Sequence, residues 1–121
     1  VLTNTTDQFI DVDGQGPSQG DYDVFTDDLH RDGHKVGEDH GQCTLYTSGA
    51  ALCWGNFTFY GRGDVSIQGV FGFSGNQASL AAITGGTEKY SGADGTAQLG
   101  FTKDGRQKFT FRIRGQHHHD N

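Results

Sequence analysis

Methionine is absent from this sequence of 121 residues, proline occurs once and cysteine twice. Stretches of Leu, Ala, Glu and Lys that would build helices are scarce as well, which argues against a helical fold. No apolar run approaches the roughly 20 residues that cross a bilayer as a helix, so no membrane partner is expected. Dense Lys/Arg is also missing. The formal charge is −6, with ten Asp/Glu against two Lys/Arg in residues 1–60 and five against seven in residues 61–121. Without a basic face there is little counterion release to drive nucleic-acid binding, and neither DNA nor RNA is expected as a partner. No charged-then-apolar leader is visible, and the start at Val1 rather than Met leaves two origins open, a leader removed by processing or a start set by design.

What the chain has instead is 20 glycines and nine phenylalanines. Glycine supplies tight turns and phenylalanine favours half-buried strands, so the expectation is an all-β protein of many short strands. The length suits one domain, residues 1–115, followed by a polar tail over 116–121 that should be disordered. Its three adjacent histidines lack the fixed geometry of an evolved metal site, and no metal or other cofactor is expected.

Period-two alternation is clearest in "QKFTFRIRG", where Phe109, Phe111 and Ile113 share one face and Lys108, Thr110, Arg112 and Arg114 the other. "GNFTFYG" repeats the pattern with Phe57 and Phe59, and "DVSIQGVFGF" with Val65, Ile67, Phe71 and Phe73. Further strands are expected at Gln8–Val12, Tyr22–Thr26, Gln42–Thr47, Ser79–Thr84 and Thr96–Phe101. Seven to eight strands with the aromatics on one parity suggest a sandwich or a closed barrel, and closure removes sticky edges and turns that parity inward.

Cys43 and Cys53 flank "TLYTSGAAL". If the hairpin turns near Ser48 they face each other across the ladder and a disulfide is possible, which would favour a secreted or other extracytoplasmic setting over a cytoplasmic one. Two buried free thiols are the alternative.

Several short motifs dissolve on inspection. "DVDGQGPSQGDY" starts like a calcium loop, but Tyr22 stands where a bidentate Glu is needed, and a turn explains it as well. His30, His34 and His40 fall in "LHRDGHKVGEDHG", which reads as a polar loop with surface histidines. "RGD" at Arg62–Asp64 reads as an ordinary turn. "GGTEKYSG" lacks the Gly-Lys-Ser/Thr ending and the following helix of a phosphate-binding loop, so "AAITGGTEKYSGADG" is expected to be strand, tight glycine turn and strand.

Four blocks in order, "GDYDVFTDDL", "VGEDHGQC", "VSIQG" and "AAITGGTEKYSGADG", resemble those of the allene oxide cyclase and dirigent barrel superfamily over residues 18–114. The resemblance implies an eight-stranded antiparallel β-barrel with an apolar interior, an apolar unsaturated small-molecule ligand, and a homodimer or homotrimer. It also implies cavity positions at Phe25, Asp27, Cys43 and Phe71, on the parity that carries Cys53, Phe57 and Phe59. Gln8 falls near the cyclase's catalytic glutamate. Asp94 stands where dirigent proteins carry an arginine, and Glu88 where some carry an acid.

The resulting expectation is a small-molecule cyclase or isomerase that folds its substrate for ring closure or stereochemical control. Gln8, Phe25, Cys43, Phe57 and Phe71 would bind substrate, and Asp27 would be the acid or base, with a pKa raised by burial. A secreted, non-catalytic ligand-binding or structural barrel is the alternative, favoured by the missing glutamate and arginine. Trp54 and Tyr60, on the opposite parity, suggest an oligomer contact or, less strongly, a sugar-stacking face.

Overall fold

The structure, a computed structural model, describes residues 2–10, 20–47, 49–72, 79–101, 103 and 106–114, of which 2–10, 47, 79 and 101 are described by their backbone alone. Eight strands follow one another: β1 (Leu2–Ile10), β2 (Tyr22–Arg31), β3 (His34–Thr47), β4 (Ala50–Phe59), β5 (Gly63–Gly72), β6 (Ser79–Gly86), β7 (Asp94–Phe101) and β8 (Gln107–Arg114). Each pairs antiparallel with the next in a single sheet of order β1-β2-β3-β4-β5-β6-β7-β8. The sheet curls into a half-barrel. Phe57 on β4 lies edge-on to Phe109 and Phe111 on β8, with ring centroids 4.9 and 5.1 Å apart, so strands four places apart in the sheet meet across its concave face.

Alternation sets that concave face. Leu29, Ala51, Cys53, Phe57, Val65, Ile67, Phe71, Ala81, Ile83 and Ala97 are buried, and all are odd-numbered. Among the described residues one parity carries the fully buried apolar side chains from β2 to β7, as the strand pattern of the sequence anticipates. Burying a Phe such as Phe57 stabilises the fold by about 1.5–3 kcal/mol.

Turn chemistry explains the strand limits. Between β2 and β3 only Asp32 and Gly33 intervene, with φ of 52° and 80°, the left-handed pair that a two-residue hairpin turn demands. The polar run around His30, His34 and His40 is therefore strand, not loop. Its composition misleads because charged residues occupy both faces. β3 is consequently 14 residues long. In the glycine-rich stretch, β6 ends at Gly86 and a 3-10 turn, Glu88–Tyr90, leads into β7 at Asp94. The calcium-like segment over 11–19, Phe73 and the tail lie outside the described residues.

Candidate active site

The middle of the concave face carries two carboxylates. Asp27 on β2 and Asp39 on β3 are direct register partners, and both are buried, with 4% and 2% of their surface exposed. Asp39 in turn pairs with Phe57 on β4, and Phe57 with Val65 on β5, so one row across the sheet reads acid, acid, phenyl, isopropyl. This is an expensive place for charge.

The result is a carboxyl held in its neutral form. Asp39 is pushed up from an ordinary 3.8 to about 9, first by burial, then by its hydrogen bond to Asp27, then by the repulsion of the Asp27 charge. Asp39 therefore keeps its proton at neutral pH, and its hydroxyl is the donor in the hydrogen bond to Asp27. Its Oδ1 is buried and has no hydrogen-bond partner among the described residues. With the Asp39 proton engaged by Asp27, the unpartnered oxygen on this apolar face is a hydrogen-bond acceptor.

Neighbouring positions shape the space around the pair. Phe25, half-buried on β2, is paired with Gly41, and a Cβ at Gly41 would lie 2.7 Å from Phe25 Cζ. Glycine there lets the ring lie across β3. Cys43 and Cys53 are direct partners on β3 and β4, with Cα atoms 4.0 Å apart, and are joined in a disulfide. The hairpin read from "TLYTSGAAL" thus brings the two cysteines together, and no free thiol remains. Phe71 is buried beside Ala51, two residues beyond Cys53's partner Gly69. Gln8 pairs with Val24, while Asp7 pairs with Phe25, and the side chain of Gln8 lies outside the described residues.

Towards the end of the sheet that carries the β2–β3 and β4–β5 turns, the concave face opens into a cleft of about 830 Å³. Leu29, Phe59, Tyr90, Phe109 and Phe111 form its apolar wall. Leu29 is two residues along β2 from Asp27, and Phe59 two along β4 from Phe57, so the cleft continues the row that holds the acids. This size suits a small organic ligand.

Asp39 is the residue that reading the sequence misses. The signal is its spacing: it stands four residues before Cys43, on the same strand face, and twelve after Asp27 across a two-residue turn. Taking residues 29–41 as a loop hides that parity. Asp94 and Glu88, the departures from the dirigent pattern, are both exposed, and Asp94 Oδ1 lies 3.4 Å from Arg114 Nε at the surface. Trp54 and Tyr60 do not share a patch. Trp54 is 54% exposed on the convex face, whereas the Tyr60 hydroxyl donates to Glu38 Oε2 at 3.1 Å beside the β4–β5 turn. Among the described residues no helix is long and apolar enough to cross a membrane.

The architecture belongs to the class of curled antiparallel β-sheets. No protein-family model matches the chain, and no curated protein matches it. Among solved structures it is similar to a pyocyanin demethylase, at 23% identity and a TM-score of 0.80, over 93% of this chain and 95% of that one. At that identity the likeness extends to the fold.

Proposed function

We propose that the chain is a small-molecule enzyme of the cyclase or isomerase type, in which an apolar unsaturated substrate lies on the concave face and Asp39, with Asp27, moves the proton. The observation that carries this reading is the Asp27–Asp39 pair: two buried carboxylates in register, one of them neutral up to about pH 9 with an oxygen left unpartnered. Structural acids are rarely left this way, because each unsatisfied buried polar atom costs about 1–3 kcal/mol. Phe25, Phe57 and Phe71 hold the substrate's apolar body, and closure of β8 onto β1 completes an eight-stranded barrel around it. In such a site Asp39 protonates the substrate at one atom while Asp27 receives a proton from another, and the pair returns to its starting state. The similar fold of a protein named for demethylating pyocyanin, a small molecule, supports a small-molecule ligand.

Native mass spectrometry of the full chain taken from the cells that make it tests the reading. An added mass of a small organic molecule is expected, and chain carrying none in any oligomeric state overturns it. With that ligand or its precursor as substrate, Asp39→Asn lowers kcat by about 10²–10⁴.

A second reading, a secreted non-catalytic ligand-binding or structural barrel, draws on the disulfide and on the Phe57, Phe109 and Phe111 rings that fill part of the concave face. Conversion of the recovered ligand by wild type and not by Asp39→Asn decides against it. In either reading Leu52, Trp54, Val70 and Leu80, exposed together on β4 to β6, form the contact of a homodimer or homotrimer.

A further inference from the structure

The cleft is charged against the rest of the chain. Of the nine Lys and Arg in a sequence of net charge −6, four line it, Arg31, Lys35, Arg62 and Lys108, and Asp32 is the one acid among the described lining residues. One of the four is already neutralised. Lys35 Nζ lies 3.2 Å from Asp28 and 3.8 Å from Glu38, and the hydrogen bond to Asp28 raises its pKa further. Arg31, Arg62 and Lys108 form no ion pair among the described residues. They come from three separate places, the end of β2, the β4–β5 turn and the start of β8, and all three line the cleft.

Below them the wall is made of rings at steep angles. Phe59 meets Phe111 edge-on, with centroids 5.8 Å apart at 87°, and Tyr90 at 5.7 Å and 59°. Such a cluster presents both ring edges and ring faces, the surfaces against which another flat ring gains attraction beyond its buried area. A flexible acyl chain would gain area alone.

We propose that this cleft binds a planar aromatic anion, a ring system bearing a carboxylate, sulfonate or phenolate. The rings seat against Phe59, Tyr90 and Phe111, and the anionic group faces Arg31, Arg62 and Lys108. The assignment rests on the reading above that the concave face takes a small molecule, and it adds a charged end to that ligand's apolar, unsaturated body. The low-dielectric aromatic floor strengthens the charge contact, because the anion is partly withdrawn from water when it meets the cations. It also sets direction: the charged end stays at the mouth and the neutral end points along the β2 and β4 rows toward Asp27 and Asp39, where a second negative charge would be repelled.

Binding of three probes of one shape to the full-length protein, followed by calorimetry and amide chemical shifts at pH 7, tests it. 2-Naphthoate is expected to bind at least about tenfold more tightly than 2-naphthalenemethanol, the difference one charge-assisted contact supplies, and 2-naphthylmethylammonium not measurably. The Arg62→Gln, Lys108→Gln double variant should bring naphthoate down to the affinity of the alcohol and leave the alcohol unchanged. Equal affinity of naphthoate and the alcohol for wild type overturns the anion assignment, and decanoate binding as tightly as naphthoate overturns the planar one. Asp39→Asn is expected to bind naphthoate as wild type does. If naphthoate binds as stated while Asp39→Asn keeps full turnover, the acid–base reading fails and the ligand class stands.

Discussion

β2 and β3 carry two pairs of carboxylates in adjacent register positions, Asp27 with Asp39 and Asp28 with Glu38, and the two pairs solve the same electrostatic problem in opposite ways. Asp28 and Glu38 face outward, where water screens them, Lys35 reaches both, and Tyr60 donates to Glu38. Asp27 and Asp39 face inward, and what acts on Asp39 is burial and the other acid, so it keeps its proton. One residue of offset along a strand thus separates a solvated ion-pair network from a buried proton donor. The lesson is that the parity of a carboxylate on a β-sheet decides whether water or burial sets its surroundings.

Substitutions break this contrast in order of size. Phe57→Ala, which strips the wall beside Asp39, should cost about 3–5 kcal/mol in chemical unfolding, because Phe57 is buried against Phe109 and Phe111. A loss below about 1 kcal/mol would show that the concave face is not packed as described. Replacing both cysteines with alanine removes a bond across ten residues and should cost about 2–3 kcal/mol, read as a lower denaturation midpoint that reductant reproduces in wild type.

Asp39→Asn acts in the other direction. The unfolded chain releases the Asp39 proton near its ordinary 3.8, whereas the folded chain keeps it to about 9. Between those values the unfolded state binds fewer protons, so this group's contribution to stability falls as pH rises and levels off above about 9. The amide removes that slope. Asp39→Asn should raise the thermal midpoint at pH 8 by at least several degrees and leave it nearly unchanged at pH 4. An equal shift at both pH values would mean that the proton is not the cause.

The smallest effect belongs to the outer pair. Lys35→Ala should cost less than about 1 kcal/mol, and less still in high salt, since exposed ion pairs contribute little. A loss matching that of Phe57→Ala would erase the distinction between the two faces.

Much of the fold is legible in the residues. The inward parity can be read from Phe57, Val65, Ile67 and Phe109 because each alternates with a polar neighbour, and the Cys43–Cys53 pairing follows from a turn near Ser48. The long hairpin of β2 and β3 is not legible by composition, because Asp27 and Asp39 put charge on the face that should be apolar. The rule that locates strands fails where acids turn inward. The cleft is hidden for a different reason: Arg31, Arg62 and Lys108 are distant in sequence, and only the curl of the sheet makes them line one cleft.

The disulfide also has a mechanical meaning. A β-hairpin can in principle slide along its own ladder, and a shift of two residues would keep every side chain on its proper face while changing every partner. Cys43 bonded to Cys53 forbids that slide, and Asp39 and Phe57 sit four residues further along the same two strands. The bond is therefore a register lock. It fixes which phenyl ring stands beside the acid, so the spacing of the proton donor from its apolar wall is set covalently rather than by packing alone.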